Sequence, residues 1–308
     1  MQFYSIIFPG QGSQSIGMLA ETAAHFPVIK TTFAEASAVL DYDLWDLIQQ
    51  GPAEKLNRTE YTQPALLTAS FALWRVLREL GMPTMPVVLA GHSLGEYTAL
   101  VAAEALAFAD AVRLVEARGQ YMQAAVPEGR GALAVIVGLN PASVANICQD
   151  VAGEEVVSPA NFNSPEQIVV SGDADAVERV IETAKKAGAK MARQLPVSVP
   201  SHSALMKPAA AHLKTLLATI EFKTPRIPVI NNADVAQYAG PESIRSGLVR
   251  QLYSSVRWVE TIQACHKLGA VRFFECGPNK VLTGLGKRIL PDAEWLPATD
   301  LMMLTERG

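Results

Sequence analysis

The sequence predicts an α/β fold in two parts: a mostly parallel sheet covered by helices, and a small second unit inserted into it. Apolar segments of strand length alternate with helix-forming segments on both sides of the middle of the chain, which is typical of layered α/β folds. Residues 130–198 instead follow the order βαββαβ, which is that of the ferredoxin-like split unit. We therefore expect a large α/β subdomain formed by residues 1–129 and 199–308, and a ferredoxin-like subdomain formed by residues 130–198.

The first part of the chain predicts two strands with helices around them. Phe3–Phe8 and Val87–Ala90 are apolar runs of strand length, and helices are expected between Met18 and Leu80. Further helices are expected over Glu96–Leu106, which is rich in helix formers, and over Asp110–Ala125, where apolar residues recur at helical spacing. Because open α/β sheets bind ligands at the carboxyl ends of their strands, the loops after the two strands are the expected location of a site.

The remaining elements follow from the same patterns. In the inserted unit we expect strands at Ala132–Gly138, Val156–Asn161, Gln167–Ser171 and Lys190–Val199, with helices at Pro141–Asp150 and Ala174–Ala187. After it we expect helices at Ala204–Thr219, Ile244–Leu252, Val259–Leu268 and Val281–Ile289, and strands at Ile227–Asn231 and Arg272–Glu275.

Composition limits the class of protein. Of 308 residues, 49% are apolar and 18% are charged, which suits a globular protein with a sizeable core. The net charge of -4 provides no global basic field for nucleic acid, and no apolar run is long enough to span a membrane. The N-terminus lacks the features of a signal peptide, and three cysteines form neither a disulfide framework nor a metal-site spacing. We expect a cytoplasmic protein without a metal, nucleic-acid partner or membrane partner.

The pentapeptide Gly91–Gly95 has the G-x-S-x-G pattern between a predicted strand and a predicted helix. This is the setting of a nucleophile elbow, in which a sharp turn exposes Ser93 at the N-terminus of a helix. Backbone N–H groups and the helix dipole favour negative charge there. The alternative is a plain strand-to-helix turn in which Ser93 only caps the helix.

A serine nucleophile needs a base, and His202 is the best placed of five histidines. It lies on a turn between a predicted strand and a predicted helix, whereas His92 should diverge from its neighbour Ser93. A hydrolase would add an acid between Ser93 and His202 in the chain, but no acid there stands out on a strand-end loop. We therefore expect a dyad of Ser93 and His202, although His202 could instead belong to a capping turn.

Arg118 falls in the middle of the apolar face of the predicted helix Asp110–Ala125. A guanidinium that points into a core needs an anionic partner. That partner could be a structural carboxylate or the carboxylate of a substrate, and the bidentate fork of arginine suits either.

The loop at residues 8–14 contains Gly10 and Gly12 after the first strand. It fits neither a dinucleotide fingerprint nor a P-loop, because the third glycine of the former and the lysine of the latter are missing. It could supply the second N–H donor of an oxyanion hole, or it could be a simple turn.

Together these motifs resemble one family, the malonyl-CoA:acyl carrier protein transacylases of bacterial type II fatty acid synthesis. The matching stretches are FPGQGSQ at 8–14, TQPAL at 62–66, AGHSLGEY at 90–97, ARGQYM at 117–122, NFNSP at 161–165, VPSH at 199–202, VRQLY at 249–253 and ECGPNKVL at 275–282. The resemblance spans almost the whole chain in family order. It implies an α/β-hydrolase-like large subdomain with an inserted ferredoxin-like (βαββαβ) small subdomain.

The resemblance also implies roles for individual residues. Ser93 would be the nucleophile, His202 its base, and the backbone carbonyl of Gln251 would orient the imidazole. The backbone N–H groups of Gln11 and Leu94 would form the oxyanion hole. The remaining implied roles are in substrate binding: Arg118 would hold the malonyl carboxylate, and two further residues of the matching motifs would lie near the cleft, Gln63 and Asn161.

The implied reaction is ping-pong transfer of a malonyl group from malonyl-CoA to the phosphopantetheine thiol of acyl carrier protein. It needs no cofactor, and we expect a monomer. Acyl carrier proteins of this kind are acidic, so the expected docking patch is basic. The candidates are Lys185, Lys186, Lys190, Arg193, Lys280, Lys287 and Arg288, although any one of them could simply be solvated.

Two other functions remain open at this point. A serine thioesterase or esterase on the same fold would have an acid near His202 and would not need Arg118. A non-catalytic subunit that binds the carrier protein would not need an intact Ser93, His202 and Arg118.

Overall fold

The computed structural model describes residues 3–81, 85–197 and 199–300, which form two separate sheets surrounded by helices. The strands are β1 Tyr4–Phe8, β2 Val88–Gly91, β3 Gly131–Val137, β4 Val157–Ser164, β5 Gln167–Asp173, β6 Met191–Gln194, β7 Val229–Ile230, β8 Arg272–Glu275 and β9 Glu294–Pro297. The helices are α1 Ala20–His25, α2 Val28–Leu40, α3 Leu44–Gln50, α4 Ala53–Leu56, α5 Thr59–Glu79, α6 Gly95–Ala102, α7 Phe108–Ala124, α8 Pro141–Ala152, α9 Ala174–Lys186, α10 Lys207–Leu217, α11 Pro241–Gln251, α12 Trp258–Lys267 and α13 Val281–Ile289. A 3₁₀ turn at Ala204–Met206 leads into α10.

The larger sheet is parallel, with the strand order β7-β2-β1-β8-β9. All five residues of β1 are buried, because helices cover both faces of the sheet. Ile6 packs into a core shared with α2, α5, α6 and α7, whereas its neighbour Ile7 packs against α12 and α13 on the opposite face. The predicted mixed α/β architecture with a parallel sheet is confirmed.

The smaller sheet is antiparallel, with the strand order β4-β5-β3-β6. Side chains alternate along β3 between its two faces. Ala134 and Ile136 pack against α8 and α9, whereas Leu133 and Val135 form a second apolar cluster on the other face. That second face lines a cavity between the two sheets.

Strand β4 joins the small unit to the large one. Val256, just before α12, donates its N–H to Ala160 O at 2.8 Å and accepts from Phe162 N at 2.9 Å. This short parallel bridge fixes the edge of the small sheet against the large unit, so the cleft between them has a defined shape.

Two predicted helices are too long, and the one expected over Ala204–Thr219 is confined to α10, Lys207–Leu217. The helix expected over Glu96–Leu106 ends at Ala102, because Glu104 adopts the left-handed conformation with φ of 57°. Leu106 then forms an isolated bridge with Phe222 instead of a further helical turn. The prediction ran on to Leu106 because residues 103–106 are mostly good helix formers, and the contact with Phe222 could not be seen from the sequence.

Two strand predictions also differ from the structure, and one strand was missed. The strand expected over Lys190–Val199 is confined to Met191–Gln194, since Pro196 cannot donate to a ladder; Ser198 lies outside the described residues. The strand expected over Ile227–Asn231 reduces to Val229–Ile230. The edge strand β9 was not predicted from the sequence. No helix within the described ranges is long and apolar enough to cross a membrane.

Candidate active site

Ser93 lies in the tight turn between β2 and α6, with a left-handed φ of 51°. A Cβ on Gly91 would lie 1.9 Å from the carbonyl carbon of Gly95. A Cβ on Gly95 would lie 2.1 Å from the backbone oxygen of Phe8, at the end of β1. Both positions therefore require glycine, and the close approach of β1 to α6 projects Ser93 at the carboxyl end of the parallel sheet.

Asn232 holds this turn from the side. Its Oδ1 accepts the backbone N–H of Ser93 at 2.7 Å, and its Nδ2 donates to Gly91 O at 2.8 Å. Asn232 follows β7, the strand that pairs with β2. Sequence reasoning missed this residue, although a polar residue after a strand of the parallel sheet was an available signal.

The Ser93 hydroxyl is paired with His202. Ser93 Oγ lies 2.8 Å from His202 Nε2, and His202 Nδ1 lies 2.8 Å from the backbone oxygen of Gln251. A carbonyl oxygen can only accept, so Nδ1 carries the proton and the lone pair of Nε2 faces the hydroxyl. This is the tautomer that a general base needs.

His202 is held neutral by its surroundings. Its pKa is lowered to about 3, mainly by burial and also by the nearby positive charge of Arg118, whereas the hydrogen bond to Gln251 acts in the opposite direction. The imidazole is therefore neutral at pH 7, and its Nε2 is able to accept the serine proton.

The other histidines lie elsewhere. His92 turns away from Ser93, and its Nε2 lies 2.8 Å from Asn163 Oδ1. Its ring meets that of Trp258 edge-on. His25, His212 and His266 are exposed. Of the five histidines, His202 is the one that contacts the Ser93 hydroxyl, and the partner of its Nδ1 is a backbone carbonyl instead of a carboxylate.

Arg118 is 1% exposed and lies directly beside the dyad. It donates from one terminal nitrogen to Gln63 Oε1 at 2.7 Å and from the other to Gln251 Oε1 at 3.1 Å. The second nitrogen also lies 3.4 Å from Ser93 Oγ. Its hydrogen-bond partners in the described part of the chain are neutral, and its buried Nε has none. The guanidinium can therefore take up a ligand carboxylate.

The structure brings all eight predicted site residues around one cavity of about 480 Å³ between the two sheets. Ser93, His202, Arg118, Gln11, Leu94, Gln63 and Asn161 line it, and Gln251 lies behind them. The backbone N–H groups of Gln11 and Leu94 have no acceptor among the described residues. The buried Oδ1 of Asn161 is likewise unpaired, which leaves an acceptor available to a ligand.

A buried carboxylate that sequence reasoning did not single out lies behind the dyad. Glu96 is fully buried in the first turn of α6 and accepts hydrogen bonds from Gln251 Nε2, Asn232 N and the Tyr238 hydroxyl. Its only sequence signal was its position directly after the Gly91–Gly95 turn. The described residues contain no cluster of three or more His, Cys, Asp or Glu side chains that could hold a metal ion.

Comparison with known proteins places this chain in a family. The family described as "Acyl transferase domain" matches residues 5–301. A malonyl CoA-acyl carrier protein transacylase of Salmonella typhimurium is 58% identical over 290 residues, which cover 94% of each chain. The chain belongs to the malonyl CoA-acyl carrier protein transacylase family. The resemblance inferred from the eight motifs is thus confirmed.

Solved transacylase structures agree with this assignment across the whole chain. The malonyl CoA-acyl carrier protein transacylase of Coxiella burnetii superposes with a TM-score of 0.97 at 51% identity, covering 99% of this chain and 97% of that one. A malonyl-transacylase solved in complex with a type II PKS acyl-carrier protein superposes with a TM-score of 0.95 at 52% identity, with 100% of both chains covered. Membership of this family makes the chain an acyltransferase.

Proposed function

We propose that this enzyme transfers the malonyl group of malonyl-CoA to the phosphopantetheine thiol of acyl carrier protein, through a malonyl ester on Ser93. Membership of the transacylase family supports malonyl-CoA and acyl carrier protein as the two substrates. The observation that carries the mechanism is the position of Ser93 Oγ, 2.8 Å from His202 Nε2 and 3.4 Å from the guanidinium of Arg118. A nucleophile, its base and a cation for the acyl carboxylate therefore meet at one oxygen atom.

In the first half-reaction Ser93 Oγ attacks the thioester carbonyl while its proton moves to His202 Nε2. The oxyanion that forms is placed to accept from the free N–H groups of Gln11 and Leu94. The C–S bond then breaks, and the thiolate of CoA takes the proton from the imidazole. General-base assistance contributes roughly 10²–10⁴-fold to such a step, and one oxyanion donor about 10²–10³-fold.

The second half-reaction runs the same steps with a different thiol. The phosphopantetheine thiol gives its proton to His202 Nε2 and attacks the ester carbonyl. The bond from the carbonyl carbon to Ser93 Oγ breaks, and the serine recovers the proton. The net change is one thioester exchanged for another.

The malonyl carboxylate also has an effect on the base. In the free enzyme the charge of Arg118 lowers the pKa of His202. A carboxylate bound to that guanidinium offsets the charge, so the pKa of His202 rises when malonyl-CoA is bound. An acetyl group has no such carboxylate. The acyl group thus contributes both to its own binding and to the basicity of His202.

The cavity provides room for the pantetheine arm along the small sheet. Leu133, Val135 and Val169 give it an apolar wall, and two of the seven predicted basic candidates, Arg193 and Arg288, also line it. Lys185 and Lys186 instead end α9, which packs on the opposite face of the sheet. We therefore place the docking surface at the α13 side of the cavity, where Lys287 is exposed.

The finer description of the fold is part of the same proposal. The order β4-β5-β3-β6 with α8 and α9 on one face supports a ferredoxin-like small subdomain at 130–198. The glycine-flanked turn at Ser93 supports an α/β-hydrolase-like large subdomain at 1–129 and 199–308. The boundary residue Ser198 and residues 1–2 and 301–308 lie outside the described residues. We further propose a cytoplasmic monomer that needs neither a cofactor nor a nucleic-acid or membrane partner.

Labelled malonyl-CoA tests the proposal. The protein should acquire one stable label per chain, lost in Ser93→Ala, and holo acyl carrier protein should discharge it. Rapid release of free malonate without a carrier would instead indicate a thioesterase, and absence of labelling would indicate a non-catalytic binding subunit. The contact of His202 Nδ1 with a carbonyl, where a hydrolase triad has a carboxylate, favours transfer.

A further inference from the structure

A buried hydrogen-bond network extends from Arg118 away from the cavity. The side-chain amide of Gln251 donates from Nε2 to Glu96 Oε2 at 2.8 Å and to the backbone oxygen of Ser93 at 3.0 Å. Its Oε1 faces Arg118 at 3.1 Å. Gln251 and Glu96 are almost completely buried, so water cannot replace these contacts.

Glu96 and the backbone oxygen of Ser93 together determine which way the Gln251 amide points. The two atoms near Nε2 are both acceptors, so the NH₂ group must lie on that side and the carbonyl oxygen must face Arg118. If the amide turned over, its NH₂ group would meet the N–H groups of the guanidinium, donor against donor. Glu96 provides the side-chain half of the pair of acceptors that favours the orientation in which Gln251 accepts a hydrogen bond from Arg118.

The other side of the guanidinium is held in the same manner. Gln63 donates from Nε2 to Thr59 Oγ1 at 2.8 Å, which turns its Oε1 toward Arg118 at 2.7 Å. The guanidinium is thus fixed between two amide oxygens. Both are neutral, so they orient Arg118 without cancelling the charge that a substrate carboxylate would bind.

We infer that Glu96 is a positioning residue for acyl selectivity: through the side-chain amide of Gln251 it holds Arg118 in the direction that receives the malonyl carboxylate. This inference rests on the proposed function, because it assigns Arg118 to the carboxylate. It concerns the preference for malonyl over acetyl groups, which a merely structural role of Glu96 would leave unchanged.

The test compares the malonyl-to-acetyl ratio of kcat/KM for acylation of Ser93 in four variants. Glu96→Met removes one of the two acceptors of Gln251 Nε2 at nearly constant length, so the amide is held less firmly and the ratio should fall about tenfold. Glu96→Gln can keep a carbonyl oxygen toward Gln251 and place its NH₂ group toward Tyr238, so its ratio should stay within about twofold of the wild type. Tyr238→Phe is the matched control, since it removes a hydrogen bond to the other carboxylate oxygen, Oε1. Its ratio should also be preserved.

A fourth variant keeps the test valid if Glu96→Met does not fold. Gln251→Leu retains the backbone carbonyl that faces His202 but removes the amide, so its ratio should also fall about tenfold. Combining it with Glu96→Met should lower the ratio no further, because both changes interrupt one connection.

Several outcomes would overturn the inference. The inference fails if Glu96→Met loses malonyl and acetyl transfer equally. It also fails if the ratio falls as far in Tyr238→Phe as in Glu96→Met, or if the ratio is unchanged in Gln251→Leu. Arg118→Ala, measured alongside, separates the two proposals. If its ratio is unchanged, the proposed role of Arg118 fails; if only its ratio falls, the role of Glu96 alone fails.

Discussion

Replacing Arg118 with alanine tests the basis of acyl selectivity directly. The guanidinium lies 3.4 Å from Ser93 Oγ and is held by two neutral amide oxygens, so a malonyl carboxylate would be its first anionic hydrogen-bond partner among the described residues. A charge-assisted hydrogen bond contributes about 1.5–3 kcal/mol. At 1.36 kcal/mol for each factor of ten, Arg118→Ala should lower the malonyl-to-acetyl ratio of kcat/KM by about 10- to 150-fold.

The assay measures single-turnover labelling of Ser93 with malonyl-CoA and, separately, with acetyl-CoA. Truncation also leaves the Gln63 and Gln251 oxygens without their donor, which destabilises the folded site. This loss affects malonyl transfer and acetyl transfer equally. Acetyl transfer measures that common loss, and thermal unfolding shows whether the variant is folded. Arg118→Lys is the matched control. It retains a positive charge but not the planar fork, so its ratio should lie between those of the wild type and Arg118→Ala. Equal losses of malonyl and acetyl transfer in Arg118→Ala would refute the assignment.

Three further predictions concern pH, packing and docking. His202 has a pKa of about 3 in the folded state and near 6.5 when unfolded, so its contribution to stability is present above pH 6.5 and is lost as the pH falls toward 3. The unfolding free energy of the wild type relative to His202→Gln should therefore be about 2 kcal/mol greater at pH 7.5 than at pH 5 in denaturant titrations; a pH-independent difference would contradict a neutral buried imidazole. Gly119→Ala puts a Cβ 2.6 Å from the backbone of α5 and should lower the free energy of unfolding by about 1–3 kcal/mol. Gly284→Ala has open space around the Cβ and should raise it by about 0.5–1 kcal/mol. Equal effects of the two variants in calorimetry would exclude a tight contact between α5 and α7. Lys287→Glu should raise KM for acyl carrier protein but not for malonyl-CoA, whereas Lys185→Glu, the control, should change neither KM. If Lys185→Glu raises KM for acyl carrier protein and Lys287→Glu does not, the docking surface lies at α9 instead.

Local signals were enough to predict most of the elements and several residues of the site. The apolar run before the glycine-flanked Ser93 predicted a strand and an exposed serine, because this information lies within one short segment. Arg118 was conspicuous because a charge interrupts an apolar helix face. The ends of elements were less accurate, as where α6 stops at Ala102, because a left-handed residue and a contact with Phe222 end that helix.

Partners far apart in the chain could not be predicted from local patterns. Asn232 lies 139 residues from the Ser93 that it holds, and the Gln251 amide lies 155 residues from Glu96. Asn and Gln side chains at these positions have many equally plausible uses until the sheet order brings β7 beside β2. Glu96 was overlooked for the same reason: its acceptor role depends on donors from three separate segments.

By itself, the sequence determined a mixed α/β chain, a Ser93 that faces the cavity and a buried cation at Arg118, since periodicity and glycine spacing encode backbone shape and burial. Its motifs also determined the transacylase family. Only the tertiary structure decided that the partner of His202 Nδ1 is the carbonyl of Gln251, and that Arg118 is held by the amide oxygens of Gln63 and Gln251. The physical reason is that these are contacts between segments that meet only when the two sheets pack. Directional hydrogen bonds of that kind depend on distances that no local pattern contains.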